Sequence, residues 1–227
     1  MIANIATWLT DPTHWQGTDG IGNRLLEHLA WSAVSVVIAF LIAFPLGLLI
    51  GHTGRGSFLV AGTANALRAL PTLGLLILLV LIFTNHTPGL AGYRVPALIV
   101  LVLLAIPPIL SGTYAGIANV DLAVRDAAVG MGMTGSAVAW KVEVPIAIPL
   151  IVAGLRSAIL QVVATATVIA YISLGGLGRF VLDGLGQQDY PQMASGAILV
   201  AVLAILLDLV MLLAQRVVTT PTARPST

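Results

Sequence analysis

Charged side chains are scarce in this sequence, and cysteine is absent. Only 8% of the 227 residues are charged, 58% are hydrophobic, and the mean hydropathy is +1.03. Because soluble domains carry about 25% charged residues, this composition excludes a soluble protein and predicts a chain that crosses a membrane several times. The lack of cysteine also excludes disulfides, thiolate metal sites and a cysteine nucleophile.

Further absences limit the possible function. Ten basic and nine acidic residues give a net charge of +1, which is too balanced for a nucleic-acid partner. The only lysine, Lys141, does not lie in a Gly-x-x-x-x-Gly-Lys-Ser/Thr loop, so the chain has no nucleotide-hydrolysing site of its own. Four histidines are scattered, and no catalytic or metal-binding motif is present. We therefore predict no catalytic residues and no metal site.

Five apolar runs are long enough to cross a bilayer, which takes about 20 residues. They are roughly Leu29–Ile50, Ser57–Phe83, Val95–Ala118, Val144–Ser173 and Met193–Leu213. As one helix the second run would reach roughly 40 Å, and it contains Pro71, so we expect it to kink or to project its first turns from the bilayer. Arg156, inside the fourth run, is interpreted as an interfacial arginine, with a gating role as the alternative.

The positions of the basic residues orient the chain. With the amino terminus outside, the cytoplasmic connections carry Arg55, Arg125, Lys141, Arg216 and Arg224. The outer connections then carry only Arg24, Arg94 and Arg179. We therefore predict that residues 1–24 are extracytoplasmic, that the connection at 119–145 is cytoplasmic, and that residues 215–227 form a disordered cytoplasmic tail.

The connection at 119–145 is far longer than a helix hairpin requires. Its pattern predicts a short helix over Leu122–Val129, a break at Gly130 and Gly132, and a second short helix capped by Thr134 or Ser136. Ala127 and Ala128 would leave a nearly bare helical face that allows close approach. These features predict a docking element for a partner protein.

The same loop resembles a known family. Asp126-Ala127-Ala128 is followed, after three intervening residues, by Gly132 and, after nine more intervening residues, by Val142-Glu143-Val144-Pro145. This is similar to the Glu-Ala-Ala, Gly and Ile-x-Leu-Pro signature of permease subunits of ATP-binding-cassette (ABC) importers. Aspartate replaces the signature glutamate, and valine replaces its isoleucine and leucine.

The resemblance, which extends from about Leu25 to Ala214, implies a fold and a set of coupling residues. The implied fold is that of an all-α polytopic membrane protein. Residues 25–214 would form about five transmembrane helices in the type I ABC importer fold, which is that of the methionine permeases. The loop would bind an ATPase subunit, and its implied coupling residues are Arg125, Asp126, Ala127, Ala128, Gly132 and Pro145.

Other segments resemble osmoprotectant importers, which carry glycine betaine, choline, carnitine or proline. They are Asn65-Ala-Leu-Arg-Ala-Leu-Pro71, Pro107-Pro108 and Gly175-Gly-Leu-Gly178. Methionine importers share two of these steps, so an amino acid such as methionine is an alternative substrate. A stand-alone secondary transporter is a weaker alternative, because only Asp208 lies deep in an apolar run.

The resemblance also implies partners and a location. The partners would be ABC ATPase subunits that bind ATP and Mg²⁺, a second copy or a related permease, and an extracytoplasmic substrate-binding protein. The chain itself would hold no cofactor and would lie in the inner or plasma membrane of a prokaryote. With only 6% aromatic residues, we expect high-affinity capture of a quaternary ammonium to belong to the separate binding protein.

Polar residues in the third and fourth runs are candidates for the lining of a transport pathway, although such side chains often bond to their own helix backbone instead. The candidates are Ser111, Tyr114, Gln161, Thr165 and Tyr171. Gly47-x-x-x-Gly51 and Gly112-x-x-x-Gly116 predict close helix packing within the chain or between chains. The segment Gly175–Pro191 is interpreted as an outer gate and docking surface, or as a re-entrant turn.

Overall fold

The computed structural model describes residues 2–219, in which all regular structure is helical. The α-helices, in chain order, are α1 (Ile2–Thr10), α2 (Ile21–Thr53), α3 (Ser57–Ala69), α4 (Thr72–Thr84), α5 (Ala91–Ala118), α6 (Leu122–Gly130), α7 (Gly135–Val138), α8 (Val144–Thr165), α9 (Gly178–Gly186) and α10 (Tyr190–Thr219). Two 3₁₀ segments, Pro12–Trp15 and Ala166–Ile172, and a π-helical turn, Ala139–Glu143, complete the helical structure.

Within the described residues, four helical segments are long and apolar enough to cross a membrane. They are Ile21–Thr53, Ala91–Ala118, the continuous stretch Gly135–Ile172, and Tyr190–Arg216. These segments contain the first, third and fifth of the predicted runs, and all of the fourth except Ser173. The first segment starts at Ile21, whereas the predicted run starts at Leu29. The first two turns of this helix are amphipathic and carry charges, so they do not belong to an apolar run.

The second predicted run is divided at Pro71. Helix α3 ends at Ala69, and Leu70 is extended with φ −75° and ψ 127°, the conformation favoured for a residue before proline. Helix α4 starts at Thr72 and has 13 residues, a length of about 20 Å that is too short to cross a bilayer alone, so α3 and α4 together lead the chain from the end of α2 back to the start of α5. The predicted kink is confirmed, and the run forms two short helices.

Helix α5 lies at the centre of the bundle, between α2 and α8 and against α4. Both predicted glycine pairs permit this packing. A Cβ added to Gly47 would lie 2.8 Å from Thr113 Cβ on α5, and a Cβ on Gly112 would lie 2.7 Å from the Cα of Gly154 on α8. Such distances are sterically forbidden, so these close contacts require glycine. Both pairs therefore pack helices within the chain.

Small side chains continue this close packing through the main core. Ala39 and Ala43 of α2, Ala105 of α5 and Ala158 of α8 are fully buried there, beside branched residues such as Ile109. Because lipid tails are as apolar as the helix surfaces, helices associate in membranes through close packing and polar contacts. The alanines and glycines provide that packing here.

The N-terminal segment is folded onto the end of the bundle where α9 lies. Trp8 stacks on His14 with ring centroids 4.2 Å apart and meets the edge of Phe180 on α9 at 5.3 Å. Asp11 caps the following 3₁₀ turn by accepting hydrogen bonds from the side chain and the backbone N–H of Thr13. These two bonds hold the pKa of the Asp11 carboxyl below its usual value.

The C-terminal helix is longer than predicted. Helix α10 continues to Thr219, so residues 215–219 of the predicted disordered tail are helical. The prediction failed there because the apolar pattern weakens after Leu213 while the sequence still favours helix. Residues 220–227 lie outside the described residues.

Candidate functional site

The predicted docking loop lies at one end of the bundle. Helices α2 and α5 both run toward it, and α8 starts from it. The loop contains α6, α7 and the π-helical turn, so the two predicted short helices are confirmed. The N-terminal segment and α9 lie at the opposite end of the bundle.

Hydrogen bonds at both ends fix the position of α6. The Asp121 side chain accepts a hydrogen bond from Ala123 N at 2.9 Å and caps the start of the helix. At the other end, Gly132 N donates to Val129 O at 2.8 Å and Met133 N donates to Ala128 O at 3.2 Å. This is a Schellman motif with Gly132 in the left-handed position, where its φ is +88°. The predicted break is thus made by Gly132, whereas Gly130 belongs to the helix.

The second half of the loop leads directly into α8. Thr134, one of the two predicted caps, accepts a hydrogen bond from Ala137 N at 3.3 Å. After α7 the backbone forms the π-helical turn, and Pro145 then occupies the first turn of α8. Proline is tolerated in a first turn because an N–H there would have no partner within the helix. Pro145 therefore stands where the loop passes into α8, within the continuous helical stretch Gly135–Ile172.

The two faces of α6 have different roles. Leu122, Asp126 and Val129, spaced four and three residues apart, lie on one face and are exposed. Arg125 and Ala128, three residues apart, lie on a neighbouring face that meets the chain itself, and Ala128 is only 2% exposed. Ala128 and Arg125 thus contact the chain itself, and their part in coupling to a partner stays a prediction.

Arg125 anchors α6 to the spans through a buried carboxylate. Its Nε lies 3.0 Å from Oε1 of Glu143, in an ion pair without hydrogen-bond alignment, and its Nη2 donates to the carbonyl of Ile117 at the end of α5. The other Glu143 oxygen, Oε2, lies 2.7 Å from Nδ1 of His52 at the end of α2. Glu143 itself is fully buried just before α8. One carboxylate thus joins α2, α6 and the start of α8, and its Arg125 partner also bonds the end of α5.

Sequence reasoning missed this cluster because Glu143 was treated as a variable position of a motif and His52 as an isolated histidine. A signal was present, since Glu143 is an acid that directly adjoins a long apolar run. Charged groups in that position are paired when they are buried.

The exposed part of the loop is mainly apolar. We define the loop surface as Leu122, Asp126, Ala127, Val129 and Met131, all of which are exposed. Met131 is 78% exposed and Leu122 is 69% exposed. Trp140, beside this surface, is 59% exposed and packs near Phe44 of α2, with 6.0 Å between ring centroids. Methionine and large apolar side chains exposed beside one acid are typical of a protein-binding site.

The five pathway candidates are not brought together by hydrogen bonds. Ser111, Tyr114, Gln161 and Thr165 are partly buried, and Tyr171 is 56% exposed. Tyr114 packs on the main core. Among the described residues, none of the five side chains donates or accepts a hydrogen bond with another residue. Their place in a pathway stays a prediction.

A second charged pair inside the bundle was missed by the sequence analysis. Arg156 of α8 donates from Nε to Asp208 Oδ1 at 2.6 Å and from Nη2 to Oδ2 at 2.7 Å. Arg156 is thus paired with α10, and whether its position is interfacial or serves gating stays a prediction. The signal was that each is a lone charge in an apolar run, and opposite charges in that situation tend to pair.

The segment Gly175–Pro191 at the other end contains the short helix α9, and its role as an outer gate stays a prediction. Helix α9 packs on α10 and on the 3₁₀ segment after α8. Gly178, the first residue of α9, lies so close to the Thr167 carbonyl of the 3₁₀ segment that a Cβ would collide with it. As for metals, no cluster of three His, Asp or Glu side chains occurs within residues 2–219.

Residues 43–220 match the family described as the binding-protein-dependent transport system inner membrane component. Together with the helical fold and the loop, this match shows that the chain belongs to that family. It is a multi-pass inner-membrane transport subunit.

Several curated relatives are similar over most of their length. The chain is 35% identical to the glycine betaine/carnitine/choline transport system permease protein OpuCB of Bacillus subtilis, over 85% of this chain and 86% of that protein. It is 33% identical to the choline transport system permease protein OpuBB of the same organism, over 86% and 87% of the two chains. It is 31% identical to the osmoprotectant import permease protein OsmW of Salmonella typhimurium, over 83% and 86%.

A solved structure has the same fold. The chain is similar to a chain of the MetNI methionine ABC transporter in an inward-facing conformation, with a TM-score of 0.71 and 24% identity, over 86% of this chain and 94% of that chain. This likeness confirms the predicted type I fold.

Proposed function

We propose that this chain is the membrane-spanning permease of an ATP-driven importer for osmoprotectants such as glycine betaine, choline or carnitine. The proposal rests above all on 35% identity to OpuCB over 85% of the chain. The loop agrees with it, because its exposed apolar face stands on α6 and is anchored to the spans. An ATPase subunit that binds this face supplies the energy, and that subunit holds ATP and Mg²⁺.

The loop surface provides the contact, and the buried cluster transmits it. Movement of the ATPase displaces α6, and because Arg125 and Glu143 join α6 to the spans, the spans move with it. Asp126 is exposed on the contact face, where it pairs with a basic or amide group of the ATPase. This chain supplies half of the pathway, and a second copy or a related permease supplies the other half.

The orientation follows from this role. We place the loop in the cytoplasm and the N-terminal segment and α9 outside, in agreement with the distribution of arginines. The outer end then faces an extracytoplasmic substrate-binding protein, which captures the solute. The tail after α10 is cytoplasmic.

The first experiment is uptake of labelled glycine betaine by cells that lack this chain and by the same cells with it restored, at low and raised osmolarity. Restored uptake that stops on ATP depletion with ion gradients intact supports the proposal. Uptake that persists without ATP contradicts it and favours a secondary transporter. Absence of betaine uptake with the chain inserted and its subunits present contradicts the osmoprotectant assignment and directs the test to amino acids such as methionine.

The loop is tested by Gly132→Asp. Nothing lies within 4 Å of a Cβ at Gly132, so the new carboxylate stands in open space next to Met131 of the loop surface. We expect normal membrane levels and loss of ATP-driven uptake. Gly17→Asp is the control, because Gly17 has a similar φ of +79°, has open space around its Cβ, and lies at the opposite end. Normal uptake by the Gly132 variant would refute the docking role.

A further inference from the structure

A cavity of about 600 Å³ opens at the end of the bundle opposite the loop. It lies between the first turns of α2, the start of α5 and the turn at 173–175 that follows the 3₁₀ segment. Its volume lies within the range of about 300–1,000 Å³ that is typical of small-ligand sites. In the proposed orientation this cavity opens to the outside.

The wall of the cavity is held in place by a glutamate of α2. Glu27 Oε2 accepts hydrogen bonds from the backbone N–H of Gly176 at 2.8 Å and from Arg24 Nη1 at 2.9 Å. Gly175 has a φ of +86°, and a Cβ there would collide with the Glu27 carboxylate. The indole N–H of Trp31 donates to the Leu174 carbonyl at 3.3 Å. The glycine pair of the Gly-Gly-Leu-Gly step thus lets the turn close on α2.

Groups of opposite charge and one aromatic side chain line the cavity. Trp31, Glu27 and Arg94 all contribute to its surface. Glu27 is 41% exposed, and within residues 2–219 its Oε1 has no hydrogen-bond donor. Arg94 is exposed, and no acidic side chain of the described chain forms an ion pair with it. The cavity therefore offers an unpaired cation, an aromatic ring and the Oε1 of a half-exposed carboxylate, whose Oε2 is paired with Arg24, a second cation that lines the cavity.

We infer that this cavity is a low-affinity transit site for small zwitterions that carry a quaternary ammonium group and a carboxylate. The ammonium lies against Trp31, by cation–π attraction, and near Glu27, and the ligand carboxylate pairs with Arg94. This inference rests on the proposed function and specifies where the substrate enters the permease. One tryptophan is not a full aromatic cage, so affinity is low, as a pathway site requires because its ligand must also leave.

The test compares solutes with and without a carboxylate. Uptake of glycine betaine, carnitine and choline is measured with the wild-type chain, with Arg94→Gln and with Arg55→Gln. Arg55 is the matched control, an exposed arginine at the loop end. Because the binding protein is the same in all strains, its selectivity cancels in each ratio of variant to wild type.

We expect Arg94→Gln to lower glycine betaine and carnitine uptake about tenfold or more, the usual effect of losing a charged hydrogen bond, and to leave choline uptake within about twofold. Arg55→Gln should change none of them. Equal loss for all three solutes at normal membrane levels would overturn the inference, because Arg94 would then support the fold. Unchanged uptake of all three would overturn it as well.

A binding measurement separates this inference from the proposed function. The purified complex is placed in nanodiscs of phosphatidylglycerol and phosphatidylethanolamine, which contain no choline headgroups. Saturation transfer to the methyl protons of glycine betaine is then recorded by NMR. A signal that is lost in Arg94→Gln supports the site even if the cells transport none of the solutes. No signal at millimolar glycine betaine overturns the site whatever the transport result.

Discussion

Replacing Glu143 with alanine should loosen the loop from the spans. The Glu143 carboxylate is fully buried, with Oε1 3.0 Å from Arg125 Nε and Oε2 2.7 Å from His52 Nδ1. The alanine variant removes the charge that pairs with Arg125 and the side-chain partner of His52. Arg125 would then keep only its hydrogen bond to the Ile117 carbonyl, within the described chain.

The magnitude follows from burial. Removing one partner of a fully buried ion pair costs about 3–5 kcal/mol. The partners here reach water, since the Arg125 side chain is 17% exposed and that of His52 is 31% exposed. Solvent therefore recovers part of the loss, and we expect a decrease in the free energy of unfolding of about 2–3 kcal/mol. Glu143→Gln should lose about half as much, because it keeps a neutral acceptor of similar shape.

The assay is unfolding of the purified chain in mixed micelles at increasing SDS, together with uptake in cells. Asp126→Ala is the control, because Asp126 belongs to the same loop but is exposed. It should leave stability unchanged while lowering uptake. The reasoning is refuted if Glu143→Ala unfolds at the same SDS fraction as the wild type, because the buried cluster would then not hold the loop.

Three other perturbations are informative. Gly154→Ala should destabilise the chain by about 1–3 kcal/mol, because its Cβ would lie 2.6 Å from the Pro108 carbonyl oxygen. Gly130→Ala, where nothing lies within 4 Å of the Cβ, is the control, and the same SDS midpoint for both variants would contradict the close packing. Gly132→Ala should cost about 1–2 kcal/mol for the left-handed conformation alone, seen as a lower SDS midpoint, and no change would contradict the Schellman turn. Arg156→Met should lower stability more than the double variant Arg156→Met/Asp208→Leu, because the single change leaves the Asp208 charge without its partner. If the unfolding free energies of the two single variants add up to that of the double variant, Arg156 and Asp208 do not interact.

Much of the fold was predictable from the sequence because membrane spans are encoded by composition and length. The runs around α2, α5, α8 and α10 are uniform enough to be recognised without any contacts. The division at Pro71 was also indicated, since proline and the residue before it resist continuous helix. Continuation of α10 through residues 215–219 was missed because weak local preference decides it.

The site was predictable in its backbone but not in its side-chain partners. Gly132 and Thr134 act through local backbone geometry, which spacing along the chain specifies. The partners of Arg125 and Arg156 lie 18 and 52 residues away along the chain, so only the folded arrangement reveals them. The internal contacts of Arg125 were not foreseen, because helix periodicity alone does not say which face of α6 meets the bundle.

The internal charges of this chain connect elements that lipid would otherwise leave weakly associated. Apolar helix surfaces gain little by leaving a hydrocarbon solvent, so packing and polar contacts hold them. At the loop end Glu143 connects α2, α6 and α8, and the glycine contacts of Gly47 and Gly112 bring both outer helices against α5. A force on α6 is therefore applied to three packed spans together. At the far end the same α2 helix holds the cavity turn through Glu27, so a displacement of the loop reaches the proposed transit site through one continuous helix.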